Sequence, residues 1–242
     1  IHLSCFVVTF FTPVTRNSQR APIFRVGMVT FKYESSYNML GMPEKYLVFT
    51  GRPNAGKSSI IRRVVGLDVT TGKRPGTTRR ISKYPLADGL FLVDMPGFGK
   101  MMGVSKAAGE RVQDKIVEFL ESNAKNIVLV VHVLDISTFT EVSQRLDRKG
   151  IIPVDVDMVQ FLAEIAGEFP LVAANKIDKA VRREIEANLE ELKHRLSAGK
   201  PHTVEGYIYP VSARTGEGFG ALKSAIHERL VQKGFKTPFK PR

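Results

Sequence analysis

The chain has 242 residues, 43% of them hydrophobic and 25% charged, which suits one large folded domain with extensions. Its single cysteine, Cys5, excludes an internal disulfide, and no run reaches the about 18 apolar residues of a membrane helix. A formal net charge of +12 fits a polyanionic partner such as RNA or an acidic membrane surface; the plainer reading is a solvated basic surface.

Residues 1–41 are irregular, and their apolar opening IHLSCFVVTFFTPV lacks the basic stretch of a signal peptide. MPEKYLVFTG from Met42 reads as a natural beginning, so 1–41 are expected to be a non-native or disordered extension. The competing reading is a small functional arm, since Arg16, Arg20, Arg25 and Lys32 outnumber Glu34.

From Met42, strands and helices alternate. A strand is predicted over Tyr46–Thr50 and a helix over Lys57–Val65. A loop rich in Thr, Gly and Pro follows over Val69–Thr78. Ile81–Leu86 and Leu90–Asp94 form a hairpin around Asp88-Gly89. A helix over about Val104–Ser122 precedes Asn126–Leu134, a fully apolar strand of the kind buried on both faces. A long loop then leads to a helix over Val156–Ala166. A strand over Phe169–Ala174, a helix over Val181–Leu196, a strand over Tyr207–Pro210 and a helix over Phe219–Val231 complete the pattern. The expected fold is a three-layer α/β domain over 42–232, with a mostly parallel six-stranded sheet and one antiparallel strand. Residues 233–242 form a basic tail that touches RNA or, on the favoured reading, hangs in solvent.

Gly51-Arg52-Pro53-Asn54-Ala55-Gly56-Lys57-Ser58 matches G-x-x-x-x-G-K-S, placed between a strand and a helix. The glycines let the backbone N–H groups turn inward on a phosphate, and the helix N-terminus adds partial positive charge. Lys57 is expected on the β- and γ-phosphates and Ser58, followed by Ser59, on Mg²⁺. Asp94-Met-Pro-Gly97 supplies a carboxylate for Mg²⁺ and a Gly97 N–H for the γ-phosphate. In Asn175-Lys176-Ile177-Asp178, Asp178 can accept from guanine N1–H and the exocyclic amine, a pair that adenine lacks. Asn175 can bridge the base edge and the phosphate loop, and the Lys176 stem can lie along the purine. Ser212-Ala213-Arg214 offers the Ala213 N–H to guanine O6. The four motifs stand in order at strand ends, where α/β sheets bind ligands, and together they point to GTP and GDP.

GRPNAGKSS, RPGTTR, DMPGFGKMMGVSK and NKIDK resemble the EngB family of ribosome-assembly GTPases, in the translation-factor-related branch of Ras-like P-loop GTPases. LDRKGIIPVDVDMVQFL is similar to archaeal members, and Glu141–Arg148 is longer than the bacterial pattern. The resemblance covers about residues 42–232. It implies a Ras-like G domain, a cytoplasmic GTPase that binds the large ribosomal subunit or its rRNA, and a link to septation during cell division. A monomer without a membrane partner is expected.

By the same resemblance a second Mg²⁺ side chain comes from Thr78, with Thr77 the alternative. Lys73, Arg74, Arg79 and Arg80 face phosphate, rRNA or solvent. Many Ras-like proteins carry a water-orienting Gln after the motif glycine; here Phe98 stands there, so unaided hydrolysis should be slow. Asn54 is similar to an asparagine that helps hold K⁺ near the phosphates in related GTPases; otherwise it braces the loop. The proposed catalytic set is Lys57, Gly97 and Asn54. The rival classes are a nucleotide-gated RNA or protein clamp, a tRNA-modification subunit and a membrane-transport G domain. The last two are disfavoured by the missing extra catalytic domain and membrane helices.

Overall fold

A computed structural model of the chain describes residues 43–66, 80–99, 106–197, 204–236 and 238. The extension expected over 1–41 and the loop carrying Thr77 and Thr78 lie outside the described residues.

The strands are β1 (Lys45–Gly51), β2 (Ser82–Ala87), β3 (Leu90–Asp94), β4 (Ile127–Asp135), β5 (Leu171–Asn175) and β6 (Ile208–Val211). The helices are α1 (Lys57–Val65), α2 (Lys106–Ser122), α3 (Phe139–Asp147), α4 (Val154–Ala166), α5 (Arg182–Ser197) and α6 (Phe219–Gln232). The six-stranded sheet runs β2-β3-β1-β4-β5-β6, and only β2 is antiparallel to its neighbour. The mainly parallel α/β sheet with one antiparallel strand is therefore present.

Strand periodicity sets the layers. In β1, Leu47 and Phe49 face α1 and α6, packing with Ile60, Ile61, Val64, Leu222 and Ile226. Tyr46 and Val48 face the other way, toward Ile116 and Leu120 of α2 and Met158 and Leu162 of α4. Further along that second face, Val172 and Ala174 of β5 meet Ile185, Leu192 and Leu196 of α5. Both faces are covered, so the central strands read as unbroken apolar runs. In α1 the buried residues Lys57, Ile60, Ile61 and Val64 follow helical spacing, and Gly66 in the left-handed region ends the helix by donating to Arg62 O.

Two expectations are corrected. The long loop after β4 contains α3, which packs on α5 through an Arg195–Asp147 ion pair and an Asn188 hydrogen bond to the Thr140 N–H. Its inward face carries Ser143, fully buried, where an apolar residue would have shown the helical period. The first residues of the tail also do not hang free. Phe235 packs against the core and donates its N–H to Leu230 O, and Lys233 pairs with Glu168 at 3.0 Å. α1 and β3 match the predicted ends, and the other predicted ends that fall on described residues lie within two residues of the observed ones.

The sheet register places the motifs. Asp94 at the end of β3 pairs with Phe49, Asn175 at the end of β5 pairs with Asp135 of β4 and Val211 of β6, and Gly51 pairs with Val133. The carboxyl ends of the strands thus carry the four motifs among the described residues. Among the described residues, no helix is long and apolar enough to cross a membrane.

Candidate nucleotide-binding site

The phosphate loop curls because two residues adopt left-handed backbone, Asn54 at φ 64° and Gly56 at φ 98°. A side chain at Gly56 would also put a Cβ 2.2 Å from Asn175 Nδ2, so packing as well as conformation demands glycine. Lys57 opens α1 and is buried, with Asp94 across from it at the end of β3. Burial pushes the Lys57 ammonium below its ordinary value, while the Asp94 charge opposes that shift. Burial likewise pushes the Asp94 carboxyl up, against the field of Lys57.

Asp94 Oδ1 is buried with no hydrogen-bond partner among the described residues. A buried oxygen without a donor costs free energy unless something satisfies it. A hydrated divalent cation does this through a bound water, so the residues present fit Mg²⁺, with Ser58 next to Lys57 in the first turn of α1.

Gly97 follows Asp94 closely enough to rest on the loop. A Cβ there would lie 2.7 Å from Pro53 N, so any side chain would push the two segments apart. The next residue ties them together, with Phe98 N–H donating to Gly51 O at 3.0 Å. The Phe98 ring packs with the apolar cluster that holds Val93, Met95 and Met158. It has no atom with which to orient water.

At the other end, Asn175 joins three motifs. Its Nδ2 donates to Ala55 O at 2.8 Å, and its Oδ1 accepts the Ala213 N–H at 2.9 Å. That N–H, expected on guanine O6, is directed at Asn175 here. Asp178 sits on a short turn after Lys176, whose left-handed φ of 71° sends the chain back across the strand ends. Asp178 Oδ1 accepts from the Ser212 hydroxyl at 2.5 Å and Oδ2 from Arg214 Nε at 2.7 Å. The Ser212 hydrogen bond first, against some opposition from burial, and then Arg214 hold this carboxyl below its ordinary range. The Lys176 ammonium pairs with Asp135 at the end of β4.

The structure brings together Gly51, Arg52, Pro53, Asn54, Ala55, Gly56, Lys57, Ser58, Ser59, Asp94, Gly97, Asn175, Lys176, Asp178, Ser212, Ala213 and Arg214 at those strand ends. Arg80 is exposed. Sequence reading missed Arg63, whose guanidinium donates to Ala213 O at 2.7 Å and Arg214 O at 2.8 Å from behind the last motif. Nothing in the pattern of α1 distinguished it from a solvated arginine. It also missed Asp135, although a carboxylate ending an apolar strand is the same signal that picked out Asp94.

A model of the family "50S ribosome-binding GTPase" matches residues 46–176. "Probable GTP-binding protein EngB" of Methanopyrus kandleri is 43% identical over 80% of this chain and 95% of its own length. The protein of the same name in Pyrococcus horikoshii is 40% identical over 81% of this chain and 88% of its own. The crystal structure of a protein described as a probable GTP-binding protein EngB superposes with a TM-score of 0.68 at 38% identity. It covers 77% of this chain and 99% of that one.

Proposed function

Since the chain belongs to the EngB family of GTP-binding proteins, itself among the P-loop GTPases, we propose that it hydrolyses GTP to GDP and phosphate with Mg²⁺ while engaged with the large ribosomal subunit during assembly. The observation that carries this is the Asn175 side chain, which joins the phosphate loop to the guanine-reading motif. The +12 charge suits an rRNA partner, because contacts to phosphates supply most sequence-independent affinity.

The loop N–H groups and Lys57 receive the phosphates, and the Gly97 N–H receives the γ-phosphate. Guanine N1–H and its amine take the two oxygens of Asp178, replacing the Arg214 contact, and the Ala213 N–H, which donates to Asn175 Oδ1, is shared with O6. The Lys176 stem lies along the purine. Ser58, Thr78 and Asp94 would hold Mg²⁺, with Thr77 the alternative to Thr78, and the ion would supply positive charge against the phosphates.

Phe98 supports slow unaided turnover. Water is then placed by backbone, by K⁺ held beside Asn54, or by the ribosome. For K⁺, turnover about tenfold faster than in Na⁺, with the difference lost in Asn54→Ala, is the expected result; equal rates in both salts would remove this part. Phe98 also favours a second reading, a GTP-gated clamp with negligible hydrolysis. Sedimentation with purified large subunits tests the partner. Association with GTP and release with GDP supports it, while equal or absent binding in both states removes the ribosomal assignment.

A further inference from the structure

The two residues that flank Gly51 are both tied by their side chains to one carboxylate, that of Asp155 in the first turn of α4. On the β1 side, Thr50 Oγ1 lies 2.8 Å from His132 Nδ1, and His132 Nε2 lies 3.2 Å from Asp155 Oδ1. On the loop side, an Arg52 guanidinium nitrogen stands 3.6 Å from Asp155 Oδ2. Thr50, His132 and Asp155 are all buried.

A carboxylate only accepts hydrogen bonds, so His132 Nε2 carries a hydrogen. The Thr50 hydroxyl, which can both donate and accept, pairs with Nδ1. Both ring nitrogens are paired, as a buried polar network requires. His132 interrupts the otherwise apolar strand IVLVVHVLD, between Val131 and Val133. An apolar side chain there would fill the space without the cost of desolvating a polar ring. The half-exposed Arg52 end of the path adds little stability of its own, since exposed ion pairs contribute little. What the path does supply is position. It fixes the residue that enters the phosphate loop and the first residue after its opening glycine against a single rigid helix turn.

We propose that Asp155 is a positioning residue for the phosphate loop. Through His132–Thr50 on one side and Arg52 on the other, it holds the loop in its binding shape before nucleotide arrives. A loop already ordered loses less conformational freedom on binding, so nucleotide leaves more slowly. This rests on reading Gly51–Ser58 as the phosphate cradle.

The test measures dissociation of a fluorescent GDP from the full chain and from Asp155→Asn, Arg52→Gln, the double variant, and Asp147→Asn. Asp147→Asn removes an ion pair with Arg195 that lies outside this path. Asp155→Asn should release GDP about tenfold faster, as expected for a lost charge-assisted contact. Arg52→Gln should release it several-fold faster, and the double variant should be no worse than Asp155→Asn, because both cut the same tether. Asp147→Asn should match the unmodified chain.

A lower melting temperature with unchanged GDP dissociation in Asp155→Asn would mean that the carboxylate only braces α4, and would overturn the proposal. Strict additivity of the two substitutions would overturn it as well. Arg52 lies at the surface, so Arg52→Gln stays folded and probes the loop half even where Asp155→Asn does not fold; unchanged dissociation there is also fatal. Absence of GDP binding by the unmodified chain would instead bring down the nucleotide reading on which the proposal rests.

Discussion

At the base end of the site, both polar atoms of the Asn175 side chain and both Asp178 oxygens already have protein partners. At the phosphate end, Asp94 keeps one buried oxygen without any among the described residues, opposite the buried Lys57. The base end is self-satisfied, so guanine must exchange hydrogen bonds with the protein one for one. The phosphate end holds opposite charges at low exposure and gains most from a cation and an anion together. Specificity is thus expected from the first region and catalysis from the second, and substitutions should separate the two.

The largest effect should come from Asp178→Asn. Its amide turns one of the two acceptors into a donor, which mispairs with guanine and suits xanthine. GTP affinity should fall by on the order of 10⁴-fold, with xanthosine triphosphate regaining much of it, in a competition binding assay. Equal loss for both nucleotides would mean that Asp178 supports the fold and does not read the base. Next, Asp94→Asn should cut turnover by roughly 100-fold while GDP affinity in the absence of Mg²⁺ changes little. If that affinity collapses too, the two ends are not separable.

Legibility in the sequence divides along the same line. GRPNAGKS, DMPG, NKID and SAR could be read because each needs fixed residue types at fixed spacing beside a strand end. The covered faces of the central strands were readable because β4 is apolar except for His132 and its terminal Asp135. What could not be read is what joins segments distant in the chain. Arg63 clamps Ala213, and His132 meets Thr50 and Asp155, only because the sheet order places β1 beside β4 and α1 beside the last motif. α3 escaped for a local reason: it is short and buries Ser143 where the period calls for an apolar residue.

A pH titration sharpens the comparison at smaller amplitude. Asp178 is held below the ordinary carboxyl range, so its carboxylate contribution is complete above that range and is lost only as pH falls through the lower folded value. Asp94 is shifted upward by burial, so the folded protein takes up its proton above the ordinary range. Stability from that group is lost as pH rises through the raised value. On acidification, the Mg²⁺-dependent part of GTP binding should therefore fail first, while Mg²⁺-independent GDP binding persists to lower pH. The reverse order in a titration of bound nucleotide would contradict the assignment of the two carboxylates.

The smallest effect expected is that of Arg63→Ala, which frees two carbonyls behind the last motif. A loss of about 1 kcal/mol, seen as a melting temperature lower by roughly 2–4 °C, should come with only a few-fold faster GDP release. A release rate as fast as that of Asp178→Asn would show that the base end is held from α1 more than by its own hydrogen bonds.

The most direct test of the central claim is steady-state GTP hydrolysis in Mg²⁺ and K⁺, with and without purified large ribosomal subunits. Turnover alone should be slow, because Phe98 cannot place the attacking water, and strongly stimulated by the subunits. Turnover that is fast unaided, or unchanged by the subunits, would contradict that claim.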